Sequence, residues 1–126
     1  EGKLSLVSAG HPPACVISNG TVNFIKPNGP IIGLASNYQY QPTIVPFKNN
    51  DIFLMYTDGL PESIYAQSKY SKIPFENEYD KLKEIIEKNY DSGSLENLCT
   101  SLLRLDSFES NTFITDDITI IAFQKE

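Results

Sequence analysis

The sequence predicts an α+β fold, a layered β-sandwich flanked by helices, and three observations predict it. Short apolar runs separated by turn residues fill the first half of the chain, the periodicity becomes helical after Glu78, and an apolar, β-branched run returns at the end. With 126 residues and 40% hydrophobic content, the chain is expected to form one domain over residues 1–126, with one core and no internal linker.

Strands are expected at Leu4 to Ser8, Ala14 to Ser18 and Thr21 to Ile25. Asn19-Gly20 between the last two tolerates the positive φ values of a type I′ turn, which makes an antiparallel hairpin. Gly10-His11-Pro12-Pro13 is a bend at a sheet edge or end, since proline lacks a ladder donor and glycine permits unusual dihedrals. Pro27 to Pro30 is a turn cluster, and the apolar stretch Ile31-Ile32-Gly33-Leu34 is expected to pack beneath a loop. A strand at Thr43 to Phe47 precedes a polar turn. Ile52 to Tyr56 is then apolar on both faces, as in a strand buried within a layered domain.

From Glu78, Tyr79, Leu82, Ile85, Ile86 and Tyr90 recur at helical spacing, with Lys83/Glu87 and Glu84/Lys88 as i,i+4 pairs on the opposite side. Asp91 to Ser94 interrupts this helix. Ser94 then caps a second one whose apolar face is Leu95, Leu98, Cys99, Leu102 and Leu103, and the two are expected to pack side by side on a sheet. The closing run Ile118 to Phe123 has no polar face and reads as a central strand.

A net charge of −6 with scattered lysines leaves no stripe to neutralise a phosphate backbone, which argues against nucleic acid as a partner. No apolar run reaches the roughly 18 residues of a membrane span, so no membrane contact by this segment is expected. Cys15 and Cys99 form no Cys-x-x-Cys pair, which argues against zinc and against a disulfide framework and fits a reducing cytoplasm. The opening on Glu1, directly before strand-like sequence, is expected of a piece of something longer.

Two acidic clusters lie at ends of buried strands, Tyr56-Thr57-Asp58-Gly59-Leu60 and Thr115-Asp116-Asp117-Ile118-Thr119. Neighbouring strand ends would let Asp58 and Asp116 converge on one hard divalent cation, with oxygen donors suited to Mg²⁺ or Mn²⁺. The plainer alternative is that Asp-Gly forms a turn and the Asp pair a solvated turn or a charged gatekeeper. His11 is the sole histidine. Ser8 is nearby, but no Gly-x-Ser-x-Gly elbow accompanies it, and a histidine between Gly and Pro-Pro reads as a brace for its loop. Gly29 to Gly33 lacks the lysine and the following helix of a phosphate loop.

Four blocks in order carry a resemblance: Val7-Ser8-Ala9-Gly10-His11-Pro12-Pro13; Gly29-Pro30-Ile31-Ile32-Gly33-Leu34; Asn50 through Glu62, centred on Tyr56-Thr57-Asp58-Gly59; and Asp116-Asp117-Ile118-Thr119. Together they resemble the SpoIIE-like branch of the bacterial metal-dependent (PPM-type) protein serine/threonine phosphatases, in the C-terminal part of that domain. The resemblance implies a sandwich of two sheets flanked by helices. It implies that Asp58 and Asp116 bind metal, with Asp117 the other candidate for the second position. His11 and Gly59 would be structural residues near the site.

The family's acidic Gly-Asp-x-x-Gly-His-Gly block, which supplies the aspartate bridging two metals, does not occur in these residues. Nor does a clear Phe-Gly element between Tyr70 and Asn77. The resemblance therefore implies a parent hydrolase in signal transduction that removes phosphate from phosphoserine or phosphothreonine with two Mn²⁺ or Mg²⁺ ions. This segment alone would be inactive. The implied substrate is a phosphorylated regulatory protein of the anti-sigma-factor-antagonist kind, and sensor or membrane modules would lie elsewhere in a cytoplasmic parent. The alternatives are a non-catalytic phosphatase-like docking module, or a fragment whose exposed strand edges self-associate.

Overall fold

The computed structural model describes residues 2–68, 77–91, 94–104 and 116–126. Its elements are β1 (Lys3–Leu6), β2 (Ala14–Ser18), β3 (Thr21–Ile25), β4 (Thr43–Pro46), β5 (Ile52–Tyr56), α1 (Gly59–Ser68), α2 (Glu78–Asn89), α3 (Leu95–Leu103) and β6 (Ile120–Gln124). β3, β2, β5 and β6 form a four-stranded antiparallel sheet in that order, and β1 pairs with β4 in a second, two-stranded sheet.

The hairpin between β2 and β3 closes at Ser18↔Thr21, with Asn19 at φ 49° and Gly20 at φ 79°, the positive pair that a type I′ turn requires. The strand period of two then sorts the central sheet's side chains onto two buried faces. Cys15, Ile17, Val22, Ile52, Leu54 and Tyr56 meet the helices through Leu60, Ile64, Leu82, Ile86, Leu98 and Leu102. On the other face Ala14, Val16, Ile25 and Phe53 pack with Phe47, Leu4, Leu6 and Val45 of the smaller sheet's side. Burying one leucine such as Leu54 stabilises the fold by about 1.5–3 kcal/mol, so the two layers of contacts define the architecture. The expected sandwich with flanking helices is present.

The helix caps follow from sequence chemistry. Asn77 accepts from Tyr79 N and Ser94 from Asn97 N, each satisfying an amide that a helix start leaves without a partner. Leu82, Ile85 and Ile86 are the buried face of α2, and Leu98 and Leu102 that of α3. Glu87 reaches from α2 to accept the Val22 amide at 3.1 Å, covering part of the outer edge of β3. Lys83 pairs with Glu87 at 3.8 Å, but Glu84 pairs with Lys81 at 2.8 Å rather than with Lys88.

Several expectations are corrected. The first strand spans Lys3–Leu6, and Val7 and Ser8 lie past its end. The final strand is Ile120–Gln124, and among the described residues it is an edge strand, not a central one. Only Ile120 and Ala122 join the helix-side core, while Ile121 and Phe123 remain 51% and 42% exposed. Ile31, Ile32 and Leu34, expected under a loop, are 63%, 77% and 76% exposed. That loop is held by polar bonds instead: Gly10 N–H to Gly29 O at 3.0 Å, Tyr40 OH to Pro30 O at 2.9 Å and Tyr38 OH to Asn28 O at 2.8 Å. Helix α1 was not expected from the sequence. Its signals were Pro61 and Glu62 in the first turn and the i,i+4 pair Leu60/Ile64, both of which are buried. The stretch from Tyr70 to Asn77, which lacks a clear Phe-Gly element, lies, apart from Asn77, outside the described residues, as does Thr115.

Candidate functional site

Three loops leave the central sheet at one end. β5 ends at Tyr56 and delivers Thr57 and Asp58; β6 begins opposite it, with Tyr56↔Ile120, so Asp116 and Asp117 enter at the same end. The Tyr56 phenol donates to Pro13 O at 2.6 Å, which ties the loop carrying His11 to this end as well. His11 Nδ1 lies 2.7 Å from the carbonyl of Pro12, a contact within its own loop.

Thr57 joins the two aspartate loops. Its amide donates to Thr119 O, its hydroxyl donates to Asp117 O, and the same hydroxyl oxygen accepts from Thr119 N–H, all at 3.0 Å. Gly59 completes the junction: a Cβ at this position would lie 2.5 Å from Asp117 O and 3.1 Å from Asp116 O, so only glycine allows the loops so close. Asp116 Oδ1 accepts the Asp117 amide at 2.7 Å, which fixes that carboxylate against its own backbone. The Asp58 carbonyl accepts from Glu62 N at 3.0 Å, anchoring Asp58 at the start of α1.

Asp58, Asp116 and Asp117 are all exposed. The Tyr79 phenol, at the start of α2, has its pKa raised by burial, then by the charges of Glu78 and Asp58, so α2 also begins in the field of Asp58. Beneath the loops, Cys15 is fully buried and its thiol pKa is pushed up to about 12 by loss of solvent. Tyr56 is raised by burial and, less, by Cys15 and Tyr79. Both are neutral core groups rather than nucleophiles.

The donors at this end are carboxylate oxygens, which in kind suit Mg²⁺ or Mn²⁺. In number they fall short, since among the described residues no three His, Cys, Asp or Glu side chains converge into a metal-holding group. Sequence reasoning identified the two aspartate blocks but not the role of Thr57, whose neighbours become evident only when β5 and β6 are paired. Ser8, close to His11 in sequence, is buried but its hydroxyl has no hydrogen-bond partner among the described residues, so it makes no hydrogen bond to His11.

The two antiparallel sheets and three helices of the described residues have the fold of PP2C-type phosphatase domains. The chain superposes on the RsbU and RsbW domains of a Mycobacterium tuberculosis protein with a TM-score of 0.76 at 23% identity, covering 98% of this chain and 32% of that one. On the PP2C phosphatase domain and regulatory-domain fragment of SpoIIE from Bacillus subtilis the TM-score is 0.74 at 18% identity, covering 95% of this chain and 33% of that one. These likenesses concern the fold. The chain belongs to the family described as Stage II sporulation protein E (SpoIIE), which matches it over residues 1–126. It is also 24% identical over 129 residues to the phosphoserine phosphatase RsbU of Bacillus subtilis (strain 168), covering 98% of this chain and 35% of that protein. The chain thus spans about a third of the length of the curated relative it matches.

Proposed function

We propose that this segment is the C-terminal part of a metal-dependent protein phosphatase that hydrolyses phosphoserine or phosphothreonine on a regulatory protein. The observation that carries the reading is the junction of Thr57 and Gly59 with the backbone of Asp116 to Thr119, in which one hydrogen bond to Asp117, two with Thr119 and a glycine keep two aspartate loops together. A pair of solvated turns has no use for such a junction. Asp58 and Asp116 are the proposed ligands, with Asp117 the alternative to Asp116, and further donors come from outside the described residues. A bound Mg²⁺ or Mn²⁺ supplies an acidified water and offsets charge on the phosphoryl oxygens. The chain's own contribution is to hold its carboxylates in place. Thr57 fixes their separation, and His11, bonded within its loop, is a structural neighbour.

Membership of the SpoIIE family and the phosphoserine phosphatase activity named for RsbU support this reaction class. The substrate we propose is a phosphorylated anti-sigma-factor-antagonist-like protein, and the setting is cytoplasmic signal transduction. Among the described residues, no helix is long and apolar enough to cross a membrane.

The test compares Mn²⁺-dependent release of phosphate from a phosphoserine protein by the full-length protein and by its Asp58→Asn and Asp116→Asn variants. Loss of activity and of Mn²⁺ binding in both variants is the expected result, together with negligible turnover by residues 1–126 alone. Activity indifferent to both substitutions would refute the ligand assignment. A full-length protein that neither binds Mn²⁺ nor turns over would favour a non-catalytic docking module.

A further inference from the structure

The loop between β3 and β4 shares an end of the sheet with the aspartates. β2 runs antiparallel to both its neighbours, with Ala14↔Ile25 and Cys15↔Leu54, so this loop leaves β3 at the end where Thr57 and Asp58 leave β5. With only β2 between them, the two departures are roughly 10 Å apart, two strand spacings. Ile31 to Gln39 are all exposed, so the loop stands out from the sheet end instead of filling the space between the sheets.

The loop is held firmly. Its base is closed by the Asn28 side-chain amide, which donates to Gln41 O at 2.7 Å and to Thr43 Oγ1 at 2.9 Å. A Cβ on Gly10 would collide with Ile31, and one on Gly29 would lie 2.6 Å from Ser8 O. The loop therefore packs on the His11 loop, which Tyr56 in turn ties to the aspartate end. At the tip, Leu34 N–H donates to Ile31 O at 3.1 Å and folds a turn that presents Ile31, Ile32 and Leu34 to solvent. From Pro27 to Phe47 there is no Asp, Glu, Lys, Arg or His, although 21% of the chain is charged, so an anionic group approaching Asp58 and Asp116 meets no further like charge on this flank.

Exposed apolar side chains fixed beside a candidate phosphate site mark a contact surface. Three aliphatic side chains come to a few hundred Å², short of the roughly 800 Å² per partner of a stable association. A second copy of the chain is therefore not the occupant, whereas a substrate that must leave after each turnover suits so small a patch. We propose that Ile31, Ile32 and Leu34 capture the substrate segment bearing the phosphoserine, through an apolar side chain about three residues from it, the reach of an extended chain over roughly 10 Å. The proposal rests on the phosphatase reading and adds a sequence preference to it. The loop supplies neither metal ligand nor proton, so it acts on capture and leaves the chemical step unchanged.

The test uses the full-length protein with Mn²⁺ and three probes. One is p-nitrophenyl phosphate, too small to reach the loop; the others are phosphoserine peptides with either leucine or serine at the third position on each side. The leucine peptide should show kcat/KM about tenfold above the serine peptide, less than full burial of one leucine would yield. Ile32→Asp combined with Leu34→Asp should abolish that preference through KM, with kcat, p-nitrophenyl phosphate turnover and melting temperature unchanged. Ile31 stays in place because it packs on Gly10. Equal kcat/KM for the two peptides, or a preference that survives in the double variant, overturns the proposal, while p-nitrophenyl phosphate turnover leaves the phosphatase reading standing. A melting temperature lowered by about 5 °C or more also overturns it, since the loop would then be covered by the rest of the protein. If no probe is turned over, the phosphatase reading fails, and anisotropy of labelled peptides bearing a non-hydrolysable phosphonate decides the contact: the leucine form should bind about tenfold more tightly, and equal binding overturns it.

Discussion

Replacing Gly59 by alanine tests the junction with the smallest possible perturbation. The new methyl would meet Asp117 O at 2.5 Å, and reaching an ordinary contact of 3.4 Å requires a displacement of about 0.9 Å. That carbonyl also accepts the Thr57 hydroxyl at 3.0 Å, so the same movement strains or breaks the bond between the loops. Overpacking of this kind costs about 1–3 kcal/mol. Alanine recovers at most about 0.5–1 kcal/mol of helix preference at the start of α1, leaving a net loss of roughly 1–2 kcal/mol. For a domain of this size the melting temperature should fall by about 5 °C. The more telling assay is Mn²⁺ affinity, followed by titration calorimetry, in which displaced ligand supports typically cost about 10–100-fold. Gly33→Ala is the control: Gly33 has φ 90° but nothing within 4 Å of a Cβ, so it carries backbone strain without touching the aspartate loops. A Gly59→Ala protein with unchanged melting and unchanged Mn²⁺ affinity would refute the reasoning.

Thr57→Val keeps the shape and removes two hydroxyl bonds, so stability should fall by about 1–2 kcal/mol in chemical denaturation, with weaker Mn²⁺ binding as its companion. Ser63→Ala should act in the other direction: the Ser63 hydroxyl is fully buried without a partner among the described residues, and its removal should raise stability by roughly 0.5–1 kcal/mol in the same assay. The buried thiol of Cys15 and phenol of Tyr56 both hold their protons more tightly when folded, from usual values of 9.0 and 10.0. Stability from them is therefore full below pH 9.0 and falls as the unfolded chain ionises, at about 1.4 kcal/mol per pH unit from Cys15 up to about 12, and about twice that once Tyr56 contributes. Denaturation curves at increasing pH should show this slope, and Cys15→Ala should flatten its first limb.

What was legible in the sequence is what local chemistry decides. The Asn19-Gly20 turn, the Ser94 cap and the apolar faces of α2 and α3 follow from residue type and spacing over a few positions. The position of β6 did not follow, because Ile118 to Phe123 shows no polar face in sequence and an edge strand with one half-covered face has the same composition as a central one. The loop of Ile31, Ile32 and Leu34 misled for a related reason: apolarity predicts burial only where no polar scaffold holds the backbone, and here Tyr38, Tyr40 and Gly29 provide one. At the candidate site, Asp58 and Asp116 could be picked out by type and by their place beside strands. Thr57 could not, since a threonine before Asp-Gly gains its significance only from residues some 60 positions later.

That separation bears on how the molecule comes into being on the ribosome. β5 finds β2 among residues already made, but its other edge stays bare until Ile120 to Gln124 emerge. Pairings so distant in sequence form late, after a large loop has closed. Until then Thr57 has neither of its carbonyl acceptors and Asp58 stands without the second loop. Nascent chains and products truncated before Asp116 would thus carry one aspartate loop without the other, which ties the appearance of the site to completion of the sheet.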